Sequence, residues 1–165
     1  MKKFLLLGVL LTLVSAQPIW ADHHENKAQM GAMKEEFSKC MMCKHFVPVF
    51  DELMPVLQTE FVHLDGGMAM VHTVADPAKV KLLHQASSKM AETAGAAMQI
   101  SDADAKTQLC PMCQEMRRLA HAGAQVSSGQ TKNGDLVVLV SSDPEVQAQI
   151  AAFKGQCEAM MAGGH

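Results

Sequence analysis

The run Gly67-Met68-Ala69-Met70-Val71-His72-Thr73-Val74-Ala75-Asp76-Pro77 decides how this chain folds, because its pattern returns as Gly134-Asp135-Leu136-Val137-Val138-Leu139-Val140-Ser141-Ser142-Asp143-Pro144. Each run opens on glycine, continues through apolar and β-branched residues, and closes on Asp-Pro. A short apolar, β-branched run reads as a strand. Asp-Pro reads as a helix start, with the carboxylate as N-cap and proline at the first helical position, where no N–H is needed. The two glycines stand 67 residues apart, and so do the two Asp-Pro steps.

Just ahead of these runs, Asp65-Gly66 and Asn133-Gly134 have the residue types of tight hairpin turns with positive φ. Weaker strands, Glu60 to Leu64 and Val126 to Lys132, precede the turns. Beyond each Asp-Pro the apolar spacing becomes helical: Val80, Leu83 and Ala86 in a helix from Pro77 to Thr93, and Val146, Ile150 and Phe153 in one from Pro144 to Met161.

Working outward again, Cys40-Met41-Met42-Cys43 is matched by Cys110-Pro111-Met112-Cys113, offset by 70 residues. A three-residue difference in one loop reconciles this with the offset of 67. The stretch Lys27 to Phe46 reads as helix until Pro48 and Pro55 break it. Ser101-Asp102-Ala103-Asp104 opens another helix, and Pro111 starts a third that runs through Arg118 to Ala122. The expected fold is therefore α+β: duplicated α-β-β-α units, a small antiparallel sheet covered by helices, and a Cys-x-x-Cys on a helix in each unit. Residues 39–99 form unit one and residues 100–165 unit two, with Gly163-Gly164-His165 as a frayed tail. Both units make one domain. Residues 22–38 are a polar leader running into the first helix.

Residues 1–21 read differently. Lys2 and Lys3 precede the apolar stretch Phe4 to Val14, as in a signal peptide. Cleavage is expected after Ala16 or Ala21, with Ala21 preferred because polar sequence begins at Asp22. The expected location is periplasmic or secreted, where thiols meet oxidants. No second apolar stretch in the sequence is long enough to span a bilayer.

Composition removes several function classes. The chain has 165 residues, 48% hydrophobic and 19% charged, which suits one globular domain rather than a disordered chain. The formal charge is −3, so no basic stripe offers itself to nucleic acid. One Trp and no Tyr leave little for base stacking. There is no serine-nucleophile motif, no glycine-rich phosphate loop and no His-Glu-x-x-His, so no hydrolytic or transfer site is read.

What remains is a soft-ligand surplus of 14 Met, 5 Cys and 8 His. Two Cys-x-x-Cys pairs in matching units can face each other and gather four thiolates around one ion. Thiolate favours Cu(I), zinc and iron–sulfur clusters. Met30, Met33, Met41, Met42, Met112 and Met116 lie on or near the same segments and tilt the choice to copper, with zinc second. The candidate ligands are Cys40, Cys43, Cys110 and Cys113. Weaker candidates are His45, Cys157, and His24 within an Asp22-His23-His24 amino terminus. His63, Met70 and His72 are expected to share a strand face, while His84 and His121 read as ordinary imidazoles. The implied role is copper or zinc binding, buffering or delivery, with a metal-delivery or redox protein as partner.

Two alternatives stay open. An exported chain can close the same cysteines as structural disulfides. Cys110-Pro111-Met112-Cys113 also resembles the Cys-Pro-x-Cys motif of glutaredoxins and some disulfide oxidoreductases, over those four residues. That resemblance implies a redox-active dithiol. In those families the motif follows a core strand, and Lys106 to Leu109 reads poorly as one.

Overall fold

The computed structural model describes residues 22–162, with side chains from Ala28 to Met161. The expected signal peptide and the last three residues lie outside the described residues. Helix α1 (Asp22–Lys39) leads to a 3-10 turn at Cys43–His45, a second at Val47–Val49 and the short α2 (Phe50–Leu53). Strands β1 (Gln58–Leu64) and β2 (Gly67–Thr73) and helix α3 (Pro77–Gln99) complete unit one. Unit two runs α4 (Asp102–Gln108), α5 (Pro111–His121), β3 (Gln125–Thr131), β4 (Gly134–Val140) and α6 (Pro144–Ala162). No helix among the described residues is long and apolar enough to cross a membrane.

The four strands form one antiparallel sheet in the order β1-β2-β4-β3, with the repeated strands β2 and β4 at its centre. Gly67 pairs with Val140, Thr73 with Gly134, and Met70 with Val137. Met70 and Val137 are equivalent positions of the repeat, so an internal two-fold passes through that pair. The α+β fold of two similar halves is thus realised as expected.

The repeated glycines have a packing reason. A Cβ on Gly67 would come within 1.9 Å of the Leu139 carbonyl oxygen, and one on Gly134 within 1.8 Å of the His72 carbonyl oxygen. The central strands start so close together that no side chain fits. In the first hairpin, Asp65-Gly66 forms the turn, with Gly66 at φ 77°. In the second, the turn is Lys132-Asn133, one residue earlier than expected, and Gly134 already belongs to the strand. Among the described residues no non-glycine takes positive φ, so Asn133 does not adopt the conformation its type permits.

The Asp-Pro caps form as the sequence dictates. Asp76 Oδ1 accepts from the Ala78 N–H at 2.9 Å, and Asp143 Oδ1 from the Glu145 N–H at 2.8 Å. Helix α3 runs on to Gln99, past its expected end at Thr93, and each closing helix packs across the two-fold, α3 on β4 and α6 on β2. Helix α6 covers the side of the sheet where Met68 and Leu139 are fully buried with Ile150, Phe153 and Cys157. Helix α3 covers the other end of the same face, over His72 and Asp135, and closes a second cluster with Phe46, Phe50 and Leu53. There Phe37, Phe46 and Phe50 meet edge to face, with centroids 5.8–6.3 Å apart. Alternation along β2 and β4 turns Ala69, Val71, Leu136 and Val138 to the opposite face, away from these clusters.

The first helix stops earlier than its composition suggests. It ends at Lys39, and the chain resumes helical form only at Cys43. The Met41 N–H leaves the helical ladder to donate to the Gln108 carbonyl of unit two, at 2.8 Å. That bond ties the first cysteine segment to the second.

Candidate metal centre

Each cysteine pair straddles the start of a helical turn. Cys43 opens the 3-10 turn behind Cys40, and the Cys43 N–H points at Cys40 Sγ across 3.5 Å. Cys110 is the N-cap of α5, Pro111 fixes the first helical position, and Cys113 lies one turn in. The Cys110 side chain makes no capping bond, which leaves its sulfur available. A helix start is electropositive, so α5 favours thiolate at its N-cap, Cys110.

The two pairs converge. The four Sγ atoms all lie within 4.8 Å of one another. Two contacts cross between the units, Cys43 to Cys113 at 3.5 Å and Cys43 to Cys110 at 3.7 Å. These separations are far above a disulfide bond of about 2.0 Å. All five cysteines are free thiols, so the disulfide alternative is not realised here.

The pocket that holds them is apolar. Ala97 of α3, Ala105 and Leu109 of unit two, and Met42 are buried against the sulfurs. Met41, Met90 and Met112 pack around them, half-buried. The four cysteines are 1–5% exposed. Small alanines at Ala97 and Ala105 let α3 and α4 come close enough to seal the group from water.

Hydrogen bonding within the group splits its acidities. Cys40 is held below an ordinary thiol chiefly by Cys110 and then by Cys113, and Cys110 is held down chiefly by Cys113. Cys43 and Cys113 are pushed up, each chiefly by its contact with Cys110. Four buried thiolates without a cation would repel strongly, whereas a bound divalent ion offsets that charge.

The weaker candidates fall elsewhere. Cys157 is buried in the sheet core among Met68, Leu139 and Ile150, outside the four-sulfur group. Burial, and then the nearby Glu158, push its thiol up to about 11. His45 follows Cys43 but does not join the group. Its Nε2 is buried with no hydrogen-bond partner. The side chain of His24 lies outside the described residues.

The other histidines are engaged. His84 Nε2–H donates to the Gly134 carbonyl at 2.8 Å, and His121 Nε2–H to the Met98 carbonyl at 3.1 Å. His63 is in register with Met68, so it shares the covered face of the sheet with Met70 and His72, as expected, but it stays exposed on the edge strand.

One polar cluster was not anticipated. His72 Nδ1 bonds Asp135 Oδ1 at 2.8 Å, and the Ser87 hydroxyl donates to Asp135 Oδ2. Asp135 is buried on the covered face, facing His72 across β2 and β4. A signal was present: Asp135 is the one charged residue in Gly134 to Val140, in phase with Val137 and Leu139. A charge on a covered strand face requires a partner.

No protein family, curated protein or solved structure matches this chain, so its reading rests on its own residues and geometry.

Proposed function

We propose that this is an exported metal-binding protein that holds one tetrahedral ion through Cys40, Cys43, Cys110 and Cys113, with zinc the best-fitting ion. The observation that carries this is the convergence of four buried thiols within 4.8 Å. A tetrahedron with Zn–S of about 2.3 Å has sulfur–sulfur edges of about 3.8 Å. The two cross-unit separations, 3.5 and 3.7 Å, are close to that value. A polynuclear iron–sulfur or copper cluster would set its thiolates further apart, because it interposes bridging atoms and several metals. Four ligands from the protein also make a closed site, the arrangement of structural zinc. The ion would fasten the two cysteine segments to each other, adding to the Met41–Gln108 backbone bond there and to the β2–β4 pairing that already joins the two units.

Copper is the second reading, and a specific observation favours it. Met41, Met42, Met90 and Met112 surround the thiols, and thioether with thiolate suits Cu(I). Cu(I) is commonly satisfied by fewer thiolates than four, so coordination number places zinc first. Delivery to a partner, or disulfide exchange with one, requires a sulfur that another protein can reach. At 1–5% exposure these four do not offer one without opening. Storage or structural use suits the geometry better.

The test is a titration of the reduced protein with zinc, cobalt and Cu(I), read by elemental analysis and by the thiolate-to-cobalt absorption. One equivalent of zinc or cobalt, lost on changing either cysteine pair to serine, supports the reading. Saturation by several equivalents of Cu(I) with no retention of zinc supports copper. Retention of neither ion at micromolar concentration rejects both.

A further inference from the structure

We infer that a hydroperoxide converts the site into a disulfide joining the two halves, Cys43 to Cys113, and expels the ion. This rests on the metal reading above, since it acts on the same four sulfurs. Close thiol contacts run between the units: Cys43 Sγ meets Cys113 Sγ at 3.5 Å and Cys110 Sγ at 3.7 Å. Cys43 and Cys113 hold the same place in the two motifs, so each pair brings its second sulfur to the junction. Closing 3.5 Å to a disulfide of about 2.0 Å takes a side-chain movement of roughly 1.5 Å, shared between two residues.

Burial selects the oxidant. With all four cysteines 1–5% exposed, a protein disulfide has no approach, whereas a hydroperoxide is small enough to enter. One thiolate attacks the terminal peroxide oxygen and becomes a sulfenic acid as the O–O bond breaks, releasing hydroxide or alkoxide that is protonated to water or the corresponding alcohol. The second thiol attacks that sulfur, the S–S bond forms, and water leaves. Two thiols lose two electrons and two protons, and the O–O bond takes them up. Cys40 and Cys110 alone cannot complete a tetrahedron, so the ion is released.

The competing product is local closure within each motif, Cys40 to Cys43 and Cys110 to Cys113, as in redox-active dithiols. Trypsin separates the two outcomes. Cleavage after Lys39, Lys44, Lys106 and Arg117 leaves Cys40 and Cys43 on one peptide and Cys110 and Cys113 on another. The zinc-loaded, reduced protein is treated with hydrogen peroxide, blocked at low pH, digested without reductant and analysed by mass spectrometry, with released zinc read by an indicator dye. The expected major product is residues 40–44 joined to residues 107–117, with fragmentation placing the bond at Cys43 and Cys113, and zinc appearing in step. Zinc uptake followed by two separate, internally bridged peptides overturns this inference alone. Absence of zinc uptake before peroxide overturns the metal reading and the release together. A cross-link of undiminished yield in Cys43→Ser overturns the assignment to Cys43.

Discussion

Under α6, the central strands present Met68 and Leu139 to Ile150, Phe153 and Cys157, and the packing is apolar throughout. The internal two-fold carries that pair onto Asp135 and His72 under α3, where Ser87 completes a polar cluster. The same backbone thus supports two unlike linings. Backbone positions are held by constraints that side chains cannot relax: the glycines by carbonyl oxygens under 2 Å from any Cβ, the Asp-Pro caps by orphan helix N–H groups. A covered strand position asks only that volume be filled and polar groups be paired, which leaves room to diverge. The thiols behave like the backbone rather than like the lining. Their repeat is kept, and equivalent residues meet.

The largest effect is expected where like meets like. Changing Cys40 and Cys43, or Cys110 and Cys113, to serine should take zinc content from about one equivalent to none, because either pair alone leaves an incomplete tetrahedron. Elemental analysis after gel filtration measures it, and retention of a full equivalent by either double variant would break the contrast. Acidification should act in the same direction. The ligands bind as thiolates, so protons compete with the ion and metal is lost as pH falls, with none lost as pH rises from neutrality.

Next come the two linings. Phe153→Ala under α6 should cost about 3–5 kcal/mol, the transfer of an aromatic ring plus the cavity it leaves. Denaturant unfolding reads this, and a loss under 1 kcal/mol would mean that the apolar end is not tightly packed. Asp135→Ala under α3 should cost less, about 1–3 kcal/mol, by stranding the His72 ring, while the Ser87 hydroxyl can still donate to the Leu83 carbonyl. The sharper experiment writes one end into the other. His72→Leu, Asp135→Met and Ser87→Ala together recreate the lining under α6 and should be nearly neutral, since all polar partners leave at once. A large loss from the triple change would show that the polar cluster does more than fill its place.

Smaller effects distinguish the fifth cysteine and the stray histidine. Cys157, a protonated thiol in the sheet core, should resist iodoacetamide in the native protein near neutral pH and react only on unfolding. Peptide mass spectrometry of the labelled protein reads the site. His45→Leu should leave zinc content unchanged and shift stability by no more than about 1 kcal/mol, toward greater stability, because it removes a buried nitrogen with no partner. A loss of zinc in that variant would make His45 part of the site.

Much of the fold was legible because its signals are local. Hairpin strands, Asp-Pro caps and helical spacing each depend on residues a few positions apart, and the repeat doubled every signal. The turn at Lys132-Asn133 and the helix end at Lys39 were misplaced because each depends on a distant strand or segment. Asn133 is displaced from the expected turn position by the approach of β4 to His72, and Lys39 precedes a backbone bond to Gln108. The site was legible as to its ligands and silent as to its state. Spacing marks four cysteines as a set, but spacing says nothing about whether the sulfurs lie 2, 4 or 10 Å apart.

The sequence by itself determined the duplication, the α+β class, the caps, and the four cysteines that belong together. Only the tertiary structure decided that those cysteines are free thiols in one sealed pocket, that Cys157 and His45 stand apart from them, and that Asp135 finds His72 and Ser87. The division follows from range. Secondary structure answers to neighbours along the chain, whereas sulfur–sulfur distances and buried partners depend on how the two-fold packs α3, α5 and the sheet, a sum over contacts that no local pattern encodes.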